Sequence, residues 1–299
     1  FEVIIVEDGS TEPCRSVAEA YAPVLDVKYF FKENEGRSIA RNYGMDHATG
    51  DYFIFFDSDC VIPADYFEKL NRMEVETPAD CFGGPDAASF TTTQKAINHA
   101  MTSFLTTGGI RGGKISLEKF TPRTFNMGFS RQVYQSVGGF REMFSEDIDM
   151  STRIRKAGFS IALYPDLPVY HKRRVDFRKF LRQVYVFGMS RITLKLLYPD
   201  SLKAVHCLPA VFVVGVAAMI LLAIMWSPWW LLPLVVYLLA IFISALVSTR
   251  SAVIACKAVP ASLIQLGGYG CGFLKAWFVK IVCRRGRNEA EEIALRKGK

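Results

Sequence analysis

Two aspartates one residue apart, Asp57 and Asp59, follow directly on Tyr52-Phe-Ile-Phe-Phe56. Five aromatic or branched residues in a row read as a strand buried on both faces, as in a sheet covered by helices. Ligands of open α/β sheets bind outside the carboxyl ends of the strands. Two carboxylates at such an end form a hard oxygen site suited to Mg2+ or Mn2+, and Mg2+ commonly works together with substrate phosphates. The competing reading is a polar turn, because Asp and Ser are ordinary turn residues. A second chemical candidate is the segment Gly108-Gly-Ile-Arg111-Gly-Gly-Lys114, with four glycines in seven residues. It reads either as a solvated loop or as one that holds a phosphate with backbone N–H groups, Arg111 and Lys114. It is not a P-loop, since no Lys-Ser or Lys-Thr pair follows the glycines.

The elements that position these groups alternate. Phe1–Val6 reads as a strand, and Ser10 or Thr11 caps a helix running to about Tyr21. A strand over Val27–Phe31, a helix over Ser38–Ala48 and the strand before Asp57 follow. Strand, helix, strand, helix, strand implies a parallel, doubly wound α/β sheet. A helix over Pro63–Met73, a short strand at Cys81–Gly84, a helix over Thr93–Phe104, a strand over Thr124–Ser130 and a short helix to Val137 continue the series. The segment Phe144–Gly158 reads as a helix with acidic residues leading, basic residues trailing and Gly just past its end, matching the macrodipole. Capping is therefore the plain reading of Glu146 and Asp147. Ile161–Leu163 and Val169–His171 read as strands, and a lone His171 before a basic run is otherwise an exposed strand end.

The remainder changes character. Phe177, Phe180, Leu181, Val184 and Tyr185 recur at helical spacing between Arg178, Lys179 and Arg182, as in an amphipathic helix at a membrane surface. Leu208–Trp226 and Trp229–Val247 carry no charge and are each long enough, at ~1.5 Å per residue, to cross a bilayer. Trp226, Trp229 and Trp230 flank the Ser227-Pro228 turn as an aromatic belt, and the flanking basic residues place both chain ends on the cytoplasmic side. Ala261–Val282 is apolar but carries Gln265, Lys275 and Lys280, and reads as interfacial or re-entrant, with a third span open. The expected division is 1–175, an α/β domain; 176–206, amphipathic interfacial helices; 207–248, two transmembrane helices; and 249–299, an interfacial or third membrane segment with a basic tail. The net charge of +7 suits an anionic membrane surface or phosphate-bearing substrates. No aromatic-interleaved basic motif points to nucleic acid. Seven cysteines stand singly, without a CxxC pair, which fits a reduced, cytosol-facing protein. The chain opens on a strand without an initiator methionine, so a missing upstream segment is expected.

Taken together, Val-Glu7-Asp8-Gly-Ser-Thr, Asn34-Glu-Gly-x4-Arg41-Asn, Gly50-Asp, Asp57-Ser-Asp59, Gly138-Gly-Phe, Glu146-Asp147 and Val-Tyr-His171 resemble the family 2 glycosyltransferases. The resemblance covers about residues 1–175 and implies a GT-A fold preceded by one further strand. It implies UDP- or GDP-sugar donors, with the nucleotide beside Glu7 and Asp8 and near Arg41, whose planar fork suits a phosphate or a base edge or pairs with an acid. The family commonly has Asp-Asp where this chain has Glu7-Asp8, which puts the base contact on Asp8. The resemblance further implies a Mn2+ or Mg2+ on Asp59, with Asp57 at the ribose or metal and His171 completing the metal site. Asp147, with Glu146, stands at the family's base position, implying inversion at the anomeric carbon. Asn126, Arg111 and Lys114 are the expected acceptor side. Processive members carry Gln-x-x-Arg-Trp after the base, whereas this chain has Gln183-Val-Tyr-Val. Single-sugar transfer to a lipid-linked or glycan acceptor at the inner membrane is therefore expected, with a non-catalytic assembly module as the alternative.

Overall fold

The computed structural model describes residues 1–86, 91–108, 120–171 and 176–295. The chain divides into two compact units, one formed by Phe1–Ala88, Ser116–Lys172 and Glu292–Lys299, the other by Ser89–Ile115 and Arg173–Glu291.

The first unit begins β1 (Glu2–Asp8), α1 (Arg15–Tyr21), β2 (Asp26–Lys32), α2 (Arg37–His47), β3 (Tyr52–Phe55), β4 (Cys60–Val61), α3 (Tyr66–Glu76) and β5 (Cys81–Gly83). After α4 (Thr92–Thr102) and α5 (Phe104–Thr107), which lie in the second unit, it resumes with β6 (Met127–Ser130), α6 (Arg131–Val137), α7 (Glu146–Lys156), β7 (Ile161–Leu163) and β8 (Tyr170–His171). β1 and β2 pair in parallel from Glu2↔Asp26 to Asp8↔Lys32. A four-stranded sheet has the order β3-β6-β5-β7. β5 and β7 are parallel, but β6 runs against both β3 and β5. The α/β reading stands, and the β1–β2 pair is parallel as the element order implied, while β6 makes the four-stranded sheet mixed. The antiparallel partners are joined by long connections, so no hairpin turn in the sequence discloses their direction.

β3 explains its own composition. Phe53 and Phe55 face a cluster with Met45, Met127, Phe129, Phe140 and Ile154. Tyr52, Ile54 and Phe56 face a second cluster around Tyr66, Phe82, Tyr164 and Leu167. Alternate residues of a strand point to opposite faces, so an unbroken apolar run serves two cores. Only Phe53 of the five is fully buried, because β3 stands at the end of the strand order.

The second unit holds α4, α5, α8 (Phe177–Leu197), α9 (Leu208–Met225), α10 (Leu232–Thr249) and α11 (Ala252–Trp277), and α12 (Gly286–Leu295) is divided between the units after Glu291. α8 starts at Asp176, whose carboxylate accepts the N–H of Lys179 at 2.7 Å. Its buried residues Phe180, Val184, Gly188 and Ile192 recur every fourth position and pack with α11 residues, as in the clusters Phe180–Val184–Ala261 and Ile192–Phe273–Ala276. A Cβ on Gly188 would overlap the carbonyl oxygen of Tyr269, and one on Gly272 that of Tyr185. Small residues let the two backbones approach closely. The amphipathic helix expected at a membrane surface therefore covers its apolar stripe with another helix. A stripe at i, i+4 spacing suits lipid or a helix equally, and the glycines of α11 decide.

α4 is tied to this unit as well. A capping box closes its start, with Thr91 N–H to Gln94 Oε1 at 2.9 Å and Gln94 N–H to Thr91 Oγ1 at 3.3 Å. Its Ala96 is buried with Ala245, Ile254, Ala255 and Ala258. The expected α/β domain, 1–175, thus departs from the structure at α4 and α5, which cluster with the helices. Among the described residues three stretches, Ala204–Met225, Pro228–Thr249 and Ala252–Val282, are long and apolar enough to cross a membrane.

Candidate active site

Helix α7 delivers three carboxylates in its first turn, Glu146, Asp147 and Asp149, and three cations in its last, Arg153, Arg155 and Lys156. That polarity stabilises both helix ends. Ser145 before it adopts a left-handed conformation, φ 70° and ψ 37°. A non-glycine residue there costs of order 1–3 kcal/mol and persists where its surroundings over-determine it. The surroundings are a guanidinium network. Arg37 and Arg41, four residues apart and so on one face of α2, reach Glu146 together: Arg37 Nη2 to Oε2 at 2.9 Å, Arg41 Nη1 to Oε1 at 3.0 Å. The other arm of Arg41 donates to Asp57 Oδ1 at 2.9 Å. One planar fork therefore joins the end of β3 to the start of α7, and its face lies 5.6 Å from the Phe140 ring centre.

Asp147 is mostly buried and points one oxygen at its own helix, accepting the Ile148 N–H at 2.8 Å. The other accepts from Arg123 Nη1 at 2.7 Å. Asp149 is wholly buried between Arg141 Nη1 at 3.2 Å and Arg153 Nε at 2.9 Å. Arg153 also donates to the carbonyls of Val137 at 2.6 Å and Gly139 at 2.8 Å, pinning the end of α6 to α7. A buried carboxylate is tolerated only when paired and hydrogen-bonded, and each of the three is.

At the end of β1 the acidic pair is engaged by its own chain. Glu7 accepts hydrogen bonds from the Tyr29 hydroxyl and from the Cys14 N–H, the latter at 3.0 Å. The tyrosine contact holds the Glu7 carboxyl below its ordinary range and pushes the Tyr29 hydroxyl up to about 12. Burial of Asp8 opposes its ionisation, but Lys32 Nζ at 2.8 Å and the N–H groups of Glu35 at 3.0 Å and Gly36 at 2.8 Å outweigh it, leaving its carboxyl below the ordinary aspartate value. Two positive-φ glycines shape this turn. Gly9 has φ 70°, where a Cβ would lie 2.7 Å from the Asn34 nitrogen, and Gly36 has φ 98°.

Asp59 is exposed beyond Asp57. The antiparallel pairing of β4 with β8 sets Cys60 opposite His171, so the backbone brings the late histidine position beside the aspartate pair. Among the described residues no three His, Cys, Asp or Glu side chains are grouped to hold a metal by themselves. Two hard carboxylates at a strand end still fit a Mg2+ or Mn2+ that completes its shell with water and substrate phosphates.

Of the expected acceptor-side residues, Asn126 is fully buried. It accepts from Tyr66 Oη at 2.6 Å and donates to the Leu167 carbonyl at 2.7 Å, so both ends of its amide are used inside the core. Arg111 and Lys114 lie outside the described residues, as does the basic run from Lys172 to Arg174. Sequence reading missed Arg37, Arg123, Lys32 and Asp149. The first was within reach, because it stands one helical turn before Arg41. Arg123 lies in an irregular segment whose spacing carries no signal.

Residues 1–138 match the profile of Glycosyl transferase family 2. Glycosyltransferase AglE of Haloferax volcanii is 24% identical over 221 residues, covering 72% of this chain and 70% of that protein. Succinoglycan biosynthesis protein ExoM of Rhizobium meliloti is 28% identical over 175 residues, 56% of this chain and 55% of its own. Further curated glycosyltransferases match at 38–40% identity over 75–80 residues, and the chain spans 12% of their length. The solved structure of mannosyltransferase PcManGT from Pyrobaculum calidifontis, in complex with GDP-Man and Mn2+, superposes with a TM-score of 0.56 at 17% identity, covering 93% of this chain and 78% of that one. Residues 1–138 of this chain are therefore similar to glycosyl transferase family 2, and the fold is that of the GT-A glycosyltransferases.

Proposed function

We propose that this protein is an inverting glycosyltransferase, moving one sugar from a UDP- or GDP-sugar to a lipid-linked or surface-glycan acceptor at the cytoplasmic face of the inner membrane. The observation that carries this reading is the Arg41 bridge. It holds Asp57 and Glu146, far apart in the chain, on one guanidinium, with Asp147 the next residue along.

In this reading Asp147 takes the proton of the attacking hydroxyl as the acceptor oxygen bonds to the anomeric carbon. The bond from that carbon to the diphosphate breaks, and the nucleoside diphosphate leaves with its electron pair. The carbon passes through an oxocarbenium-like state attacked from the opposite face, which inverts it. Glu146, fixed by two arginines, keeps the first turn of α7 in place. A Mn2+ or Mg2+ on Asp59 and Asp57 would neutralise charge developing on the leaving diphosphate. Asp8 and Arg41 stand at the nucleotide end. The similarity to ExoM, named for succinoglycan biosynthesis, supports a polysaccharide or glycolipid context, and the apolar helices support attachment to a bilayer.

A second reading, a non-catalytic GT-A module in an assembly complex, draws on the same contacts, since arginines occupy an oxygen of both Asp57 and Asp147. Release of nucleoside diphosphate from UDP- and GDP-sugars by the full chain in detergent, with Mn2+ or with chelator, decides between them. The enzyme reading expects metal-dependent release that falls by ~10²–10⁴ in Asp147→Asn, the usual worth of general-base help. Equal background in wild type and variant would leave the second reading standing.

A further inference from the structure

Beside the α8–α11 contact, within the helical unit, lies a cavity of about 750 Å3. Asp176, Arg178, Lys179, Arg182, Tyr185 and Gly267 are among the residues that line it. Arg178, Lys179 and Arg182 are exposed, and among the described residues none of the three is in an ion pair. Asp176 does not neutralise them at close range, because its carboxylate is turned onto the Lys179 N–H of its own helix. A fourth cation, Lys275 of α11, sits 5.8 Å from the Tyr185 ring centre on the same helix pair.

The depth of this cavity follows from how α11 meets α9 and α10. α9 buries only Pro209 and Ala210, at its start, and α10 only Ile241 and Ala245, in its second half. α11 meets the first of these ends through Gly270 and Phe273 and the second through Ile254, Ala255 and Ala258. Those two contact points stand about 22 Å apart along α11 at ~1.5 Å per residue. A third helix running alongside the pair would bury residues along the length of both. Contacts gathered toward the end of the hairpin opposite Ser227-Pro228 fit an α11 that lies, with α8, along a membrane surface. Three cations at that level meet lipid phosphates, whereas at mid-bilayer each would be costly.

We propose that this basic cavity between α8 and α11 binds the phosphate head group of an anionic glycerophospholipid. The site is separate from the carboxylate–guanidinium network and does not rest on the transfer reaction. Basic pockets on membrane helices hold such head groups by charge, with roughly fivefold in affinity per Lys or Arg.

The test is native mass spectrometry of the full chain released from mixed micelles of phosphatidylglycerol and phosphatidylcholine. Wild type is expected to retain phosphatidylglycerol preferentially. R178Q/K179Q/R182Q is expected to lose that preference by about 100-fold if the three add. Gly267→Trp provides an independent arm, because Gly267 lines the cavity and a Cβ there meets nothing within 4 Å, so the indole adds bulk at the cavity wall. Circular dichroism confirms that helix content is kept. Equal retention of both lipids by wild type, or undiminished preference in both variants, overturns the proposal. Displacement of the lipid by millimolar inorganic phosphate would assign the cavity to a free anion instead and overturn it as well.

Discussion

Two helices of this chain are held in place by opposite means. α7, in the α/β unit, buries Glu146, Asp147 and Asp149, and each carboxylate is met by guanidinium groups. α11, in the helical unit, buries Ala255, Ala258, Ala261, Gly268, Gly270, Gly272 and Ala276, and its neighbours come close because nothing stands in the way. Charge can be buried where every charge has a fixed counter-charge, and the resulting strength is electrostatic and specific. Where lipid is the expected surroundings, there is no hydrophobic drive between helices and close packing takes over. α7 should therefore break when a charge is removed, and α11 when volume is added.

The largest expected effect is at Asp149. Asp149→Ala strands Arg141 and Arg153 beside a cavity, and breaking a buried pair of this kind costs about 3–5 kcal/mol. Denaturation followed by circular dichroism should show the loss. An effect below ~1 kcal/mol would mean that the arginines find other partners and that charge pairing does not hold α7. Next is Arg41→Lys. An ammonium cannot fork between Asp57 and Glu146, so one charged hydrogen bond worth about 1.5–3 kcal/mol is lost. Both thermal stability and nucleoside diphosphate release should fall, because the bridge between β3 and α7 opens.

Much of this was legible beforehand, and the reasons divide along the same line. Elements came through wherever a period or a cap was written locally: Arg131–Val137 and Ile161–Leu163 match their expected bounds, and β3 ends one residue short of Phe56. The positions of Asp57, Glu146 and Asp147 as a chemical set came from resemblance. Their union through Arg41 did not, since no local pattern encodes which acid an arginine reaches across 105 residues. Strand direction was hidden for the same reason, as β6 finds both antiparallel partners over long connections. In the helical unit, hydropathy disclosed length but not direction. A helix of 26 residues with mixed polarity reads alike whether it crosses a bilayer or lies along it, and its packing partners on α9 and α10 are written nowhere in its own sequence.

The contrasting test on α11 compares two glycines five residues apart. Gly272→Ala drives a methyl group into the Tyr185 carbonyl, and overpacking of this sort costs typically 1–3 kcal/mol. Gly267→Ala meets open space, so the helix should gain about 0.5–1 kcal/mol from the better helix former. Opposite signs in detergent melting curves are expected. The same sign at both would mean that close approach of α8 and α11 does not hold this unit together.

An effect of similarly small size separates the units by pH. Glu2 accepts from Lys28 Nζ at 2.6 Å and from the N–H groups of Thr49 at 2.6 Å and Gly50 at 3.0 Å. The Lys28 contact foremost, then the backbone donors, hold its carboxyl at about 2, against an ordinary value of 4.5. Because the folded value is the lower one, the stabilisation is fully present above about 4.5 and drains away as the pH falls toward 2. With Lys28 a third exposed, solvent screening leaves about 1 kcal/mol. Glu2→Gln should thus lower stability at pH 7 by that amount and flatten the decline between pH 4.5 and 2. The α9–α10 hairpin has no carboxylate in either helix, so its helix content should hold steady across the same window. Parallel loss of both signals on acidification would show that the two units do not unfold independently, and the electrostatic strength of the first would then extend to the second.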